Sequence, residues 1–110
     1  MARISEPRLD AAFDALANAQ RREVLVSLRS GPVRTPQIAS RFGFSKQALS
    51  RHISVLEEAG LIDRATTGRT RELSLVTAPL DEITHWLSEL QRGWRASFER
   101  LDRVLRGQDD

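Results

Sequence analysis

The sequence predicts a mainly α-helical domain of order α-α-α-α-β-β-α, and three observations carry that prediction. Apolar residues recur at helical spacing through most of the chain, most regularly from Leu80 to Leu105. Two short helices lie in the middle, only a few residues apart, and the second restarts from a serine cap at Ser45. Directly after it the apolar period changes to two, around the turn Thr67-Gly68-Arg69-Thr70. A helix-turn-helix at about 36–59, a basic hairpin at about 61–77 and a terminal helix at about 79–106 make the layout of a winged helix. The length of 110 residues suits one domain, 1–110.

Each element has its own local cause. Pro7 fits a first helical turn, and Leu9, Ala12, Phe13, Leu16 and Ala17 follow as a helical stripe. Asn18 breaks that helix and caps a second, whose apolar positions are Val24, Leu25 and Leu28 and which Gly31-Pro32 ends. Thr35-Pro36 opens a third, short helix that buries Ile38, Ala39 and Phe42 and closes at Gly43. Ser45 opens the fourth, with Ala48, Leu49, Ile53 and Leu56 as its inward ladder and Gly60 as a left-handed stop. Leu61, Ile62 and Thr66-Thr67 read as one strand; Leu73, Leu75 and Thr77 alternate with Glu72, Ser74 and Val76 in another.

The terminal helix is too long for a domain of this size to bury along its whole length. Its apolar residues step by three and four, so it presents a continuous seam of the kind that finds another helix. The economical reading pairs Ile83, Leu87, Leu90, Trp94, Phe98 and Leu101 with the same helix of a second subunit, assisted by Leu9, Phe13 and Leu16 of the first helix. A core helix with a frayed end, held within one chain, is the alternative.

Composition narrows the function classes. The chain has no cysteine, which removes disulfides, thiolate metal sites and cysteine redox chemistry and fits a reducing compartment. No apolar run is long enough to cross a membrane and the N-terminus lacks a signal-peptide core, so a soluble cytoplasmic protein is expected. The net charge is only +2, yet residues 15–71 hold ten Arg or Lys against four Asp or Glu. That excess suits a polyanion. No catalytic constellation is present, since two histidines 33 residues apart assemble neither a triad nor a zinc site. Asp81 and Glu82 with His85 could hold a metal, although acidic residues at a helix N-terminus have an ordinary explanation in the helix dipole. No metal, cofactor or phosphate-cradling glycine loop is expected.

The fourth helix carries the functional signal. Ser45, Lys46, Gln47, Ser50 and Arg51 are polar or cationic on the side away from its ladder, and Glu57-Glu58 come only at the far end. That polarity suits a helix whose N-terminal half enters a major groove, where Gln pairs with adenine and Arg forks onto guanine. His52 flanks the ladder and could donate to a phosphate or be satisfied at the helix surface. Arg69 and Arg71 of the hairpin could reach an adjacent minor groove or backbone, and Arg21, Arg22 and Arg41 could add phosphate contacts. Any one of these arginines alone would be an ordinary surface residue.

The same residues resemble a known family. FGFSKQALSRHISVLEEAGL (42–61) is similar to the hallmark segment of ArsR/SmtB-type winged-helix transcriptional repressors. FDALANAQRREVLVSL (13–28) resembles their usual opening, and GRTR (68–71) their wing. PLDEITHWL (79–87), with Trp94 and the Arg100-Leu101-Asp102 run, resembles a branch without metal ligands. The resemblance spans residues 8 to 106. It implies a homodimeric repressor of a two-fold double-stranded DNA operator, with terminal helices at the dimer interface. It also implies that Ser45, Gln47, Ser50, Arg51 and His52 lie on the recognition helix, and Arg69 and Arg71 on the wing. The thiolate pair of the family's arsenic, cadmium and lead sensors has no counterpart, and of the zinc-sensor pattern only His85 is available. Three readings therefore stand: a repressor that does not sense metal, whose effector, if it has one, is an unknown ligand or protein; a protein-interaction module without specific DNA binding; and a metal-responsive repressor using His85 with Asp81.

Overall fold

A computed structural model describes residues 6–107. Five helices and three short strands follow in the order α1 (Glu6–Leu16), α2 (Ala19–Ser27), β1 (Val33–Arg34), α3 (Thr35–Phe42), α4 (Lys46–Glu58), β2 (Ile62–Thr67), β3 (Thr70–Leu75) and α5 (Ala78–Leu105). The chain ends, counted above in the 1–110 domain and in the reading of the N-terminus, lie outside the described residues.

The helix boundaries follow the capping chemistry. Asn18 Oδ1 accepts from the Arg21 amide at 3.0 Å and starts α2, and Ser45 Oγ accepts from the Ala48 amide at 3.1 Å and starts α4. Gln37 Oε1 accepts from the Arg34 amide at 3.2 Å and fixes the first turn of α3, with Pro36 inside that turn. At the end of α4, Gly60 takes φ +75°. Its amide donates to Glu57 O at 3.0 Å and the Leu61 amide to Leu56 O at 2.9 Å, which closes a Schellman motif. Leu56 and Leu61, the hydrophobic pair of that motif, are both fully buried. A Cβ at position 60 would be strained by the backbone angle alone.

Strand β1 is a correction to the expected order. The sheet has three strands, β1-β3-β2, rather than a two-stranded hairpin. Val33 pairs with Leu73 and Arg34 with Glu72, both antiparallel. Two residues are too few to show an alternating period, so the segment reads as loop in sequence. The second strand is also shorter than expected, because Thr77 already stands at the N-terminal boundary of α5. Thr67 pairs with Thr70, leaving Gly68-Arg69 as a two-residue loop. Gly68 has φ +63° and no non-glycine residue described has positive φ, the pattern of a type II′ hairpin turn.

The core lies where α2, α3, α4 and the base of the sheet meet. Leu28, Ile38, Leu56, Leu61, Ile62, Leu73 and Val24 are its largest fully buried side chains, and no described polar or charged side chain is buried. Leu49 and Ile53 complete the α4 ladder inside this cluster. A smaller cluster of Leu9, Ala12 and Ile83 joins α1 to the start of α5, edged by Phe13 against Trp86 at 5.7 Å between ring centroids. Beyond that cluster α5 leaves the body, which makes the molecule 69 Å long against 30 and 23 Å in the other directions.

Candidate nucleic-acid interface

With its apolar ladder closed against the core, α4 turns the opposite face to solvent. Ser45, Lys46, Gln47, Ser50 and Arg51 are all exposed there, and Ser54 extends the same face by one turn. The face is held rigidly from behind: Leu49, Ile53 and Leu56 are at most 4% exposed.

The wing curls over this face. Ile62 and Leu73 turn inward at the base of the sheet, and by the period of two Arg64 and Thr66 share the Ile62 side. The cross-strand register sets Arg64 opposite Leu73 and Arg71 opposite Thr66. Above the apolar base, therefore, the inner face of the wing becomes cationic. Between it and the N-terminal ends of α3 and α4 lies an open cleft of about 740 Å³. Arg34, Lys46, Arg64, Arg69 and Arg71 line it over a floor of Leu49, Ile53 and Leu73, with no acidic residue among the lining. Five cations gathered on one cleft whose lining holds no acidic residue give it a positive potential. Arg64 NH2 also holds Glu57 Oε1 at 2.9 Å, a half-exposed pair that links the last turn of α4 to β2.

Arg34 and Arg64 are missing from the expected set. The strand period carried a signal for Arg64, since it lies two residues from the inward Ile62. Arg34 had no such signal: it borders the cleft as the residue that opens α3, beside Thr35 and Pro36.

Other expected residues are placed elsewhere. Arg21 Nε donates to Ala15 O at 2.8 Å and Arg21 NH2 to Asp14 O at 3.0 Å, while Arg22 NH1 donates to Leu16 O at 2.6 Å. Both guanidinium groups thus cap the C-terminal carbonyls of α1, satisfying groups that a helix end leaves open. Arg41 is exposed on a separate shallow groove beside Val26, Arg29 and Phe42, away from the cleft. His52 turns inward: its Nε2 lies 2.9 Å from Gln20 Oε1 on α2, and its ring packs 5.8 Å from Phe44. Burial lowers its pKa from 6.5, helped by the nearby charges of Arg21 and Arg51. An imidazole held this way makes a joint between α2 and α4.

On α5, Ile83 is buried and Leu87, Leu90, Trp94, Phe98 and Leu101 are exposed. Leu9 is buried beneath Phe13 and Leu16, which are half-buried. His85 and Asp81 belong to no cluster: among the described residues no group of three or more His, Cys, Asp or Glu side chains is placed to hold a metal ion. No described helix is long and apolar enough to cross a membrane.

Known proteins match this arrangement. Residues 18–64, from the α2 cap through α4 to β2, match the family model for bacterial regulatory proteins of the arsR family. The transcriptional repressor SdpR of Bacillus subtilis is 31% identical over 75 residues, 68% of this chain and 83% of that protein. The HTH-type transcriptional regulator NmtR of Mycobacterium tuberculosis is 32% identical over 85 residues, 74% of this chain and 71% of that protein. A crystal structure of an ArsR family transcriptional regulator superposes with a TM-score of 0.78 at 31% identity, covering 86% of this chain and 97% of that one. This chain belongs to the ArsR family of winged-helix, DNA-binding transcriptional regulators, in a form without the cysteines of a thiolate metal site, and it is not an enzyme.

Proposed function

We propose that the protein is a homodimeric repressor that reads a two-fold symmetric DNA operator and does not use a metal as its signal. The observation that carries this reading is the pairing of one rigid polar helix face with one acid-free basic cleft. Gln47, Ser50 and Arg51 on α4 are the groups offered to base edges. Lys46, Arg34, Arg64, Arg69 and Arg71 surround them with positive charge suited to phosphates on either side of a groove. Arg22 keeps unengaged nitrogens and Arg41 an exposed guanidinium, so both stand available at the periphery, whereas Arg21 and His52 act through the positions of α1, α2 and α4.

Dimerisation is supported by the seam of α5, because a monomer rarely leaves so long an apolar stripe in water. Two copies would place two recognition helices about one DNA turn apart, and binding over a promoter would repress. The name of SdpR, a repressor, favours that direction of control. The metal-responsive alternative has Asp81 and His85 but no third ligand within one chain. Selection of bound duplexes from a random pool tests the reading in one experiment. Enriched two-fold sites with half-sites about 10 base pairs apart are expected. A pool that stays random at moderate salt would sink it in favour of an interaction module. Retention of the selected affinity in the presence of a chelator, and after addition of zinc or nickel, checks the metal-free assignment.

A further inference from the structure

The cations of the chain are not all of one kind. Of its 17 lysines and arginines only Lys46 is a lysine. It follows the Ser45 cap as the first residue of α4, is exposed, and lines the basic cleft with Arg34, Arg64, Arg69 and Arg71. Nothing in the fold asks for a cation there. The first turn of α4 has no acidic residue, and a positive charge at that point meets the positive end of the helix dipole. The ion pairs among the described residues are Arg64–Glu57, Arg92–Glu89 and Arg106–Asp102, so no carboxylate holds Lys46 either. A phosphate contact explains the charge at 46 but not the amine, because arginine serves phosphate at least as well.

What an amine offers and a guanidinium does not is acylation. We infer that Lys46 Nζ is acylated by acyl phosphates gathered in the basic cleft, and that the loss of its charge lowers DNA affinity. The first half stands on the cleft itself. An acyl phosphate is a small dianion with an electrophilic carbonyl, and a cleft of about 740 Å³ admits it freely. Arg34, Arg69 and Arg71 draw it in, with no acidic residue in the lining, while Arg64 shares its charge with Glu57. The dianion is thereby concentrated beside the one side-chain amine of the chain. The unprotonated Nζ attacks the carbonyl carbon and forms a C–N bond. The bond from that carbon to the bridging oxygen breaks, and inorganic phosphate leaves with the electron pair. The nitrogen gives up one proton to the departing phosphate, and nothing is oxidised or reduced. A neutral amide remains, so the cleft loses one of its five cations. The second half rests on the DNA reading above, since a lost phosphate contact weakens every duplex alike.

The test compares the full chain with the capped peptide FSKQALS (44–50), which has the same local sequence and no cleft. Both are incubated with acetyl phosphate at low salt, and adducts are located and timed by peptide mass spectrometry. Lys46 of the folded chain should be acetylated about tenfold faster than the peptide, the lower end of what a focusing cleft achieves. That advantage should vanish at about 1 M salt, where screening is nearly complete. It should vanish as well in the Arg69→Ala, Arg71→Ala double variant. Equal rates, or an advantage indifferent to salt and to both arginines, would overturn the site. For the switch, treatment with acetyl phosphate should weaken wild-type binding to a selected duplex about fivefold. It should also lower the slope of log affinity against log salt by about one. Lys46→Arg keeps the charge and cannot take the adduct, so the same treatment should leave its own affinity where it started. Lys46→Gln, uncharged from the outset, should behave like the treated wild type. Undiminished binding despite a mapped adduct would overturn the switch, and equal weakening of Lys46→Arg would overturn Lys46 as its seat. A wild type that binds no duplex before treatment is a different failure. It would sink the DNA reading and the switch with it, while the adduct rates still judge the acylation.

Discussion

Helices α4 and α5 carry the same kind of apolar pattern and meet opposite fates. In α4 the stripe of Leu49, Ile53 and Leu56 is at most 4% exposed, closed by α2, α3 and the sheet. In α5 the stripe from Leu87 onward is 44% to 76% exposed. The difference is one of opportunity. The 13 residues of α4 lie within reach of a core on one side, whereas only the first turns of the 28-residue α5 lie beside α1. Outside α5, Val26 is the one large apolar side chain among the described residues that is more than half exposed. Exposure is therefore concentrated on a single helix, as expected for an interface and not for a loosely packed fold. One stripe builds the domain, and the other stays open to solvent, as the proposed homodimer requires.

The largest expected effect breaks the closed stripe. Leu56→Ala should cost about 2–5 kcal/mol, because a fully buried leucine loses its transfer energy and leaves a cavity between α2, α4 and β2. Chemical denaturation should show a lower midpoint with the same slope, and DNA binding should fall only in step with the unfolded fraction. Leu90→Asp tests the open stripe. It should abolish dimers in a sizing measurement while the unfolding midpoint of the body barely changes, since Leu90 is 59% exposed within the chain. Dimers that persist would mean that the two stripes differ less than their exposures imply.

Arg51→Ala leaves both stripes intact and removes a group from the exposed face of α4. Specific affinity should fall by about 1–3 kcal/mol, with the dimer and the melting temperature unchanged. Arg64→Ala should weaken specific and non-specific duplexes more nearly alike and flatten the salt dependence, as removal of a phosphate contact does. Ser45→Ala removes the hydroxyl that accepts from the Ala48 amide and should cost about 1 kcal/mol of stability.

The fold was legible wherever a local rule set it. Asn18, Ser45 and Gly60 mark helix ends by side-chain or backbone chemistry that acts within three or four residues, and the period of α5 is repeated too often to misread. What stayed hidden depended on contacts between distant segments. Strand β1 exists only because Val33 and Arg34 find Leu73 and Glu72 about 40 residues away. Arg21 and Arg22 look like any basic pair until the end of α1 is seen to point its carbonyls at them. The cleft was half legible: the α4 face follows from helical spacing and the wing arginines from the turn, but Arg34 borders it only through the way the start of α3 packs beside α4 and the wing.

His52 sharpens the comparison at its finest scale, because it shows α4 anchored along a flank as well as along its stripe. Its lowered pKa means that the folded state binds the proton less readily than the unfolded chain, whose imidazole titrates near 6.5. The associated stability is fully present above that value and is lost as pH falls through the lower folded pKa. Acidification should therefore loosen the α2–α4 joint, and His52→Gln should remove that part of the acid-side slope while leaving the neutral-pH midpoint close to wild type. An NMR titration reads the cause directly. The His52 ring should titrate below 6.5 and move upward in Arg51→Ala, by less than the burial effect that dominates the shift. A ring that titrates above 6.5 in the free protein would mean that His52 faces solvent beside the reading face, and that α4 is held by its stripe alone.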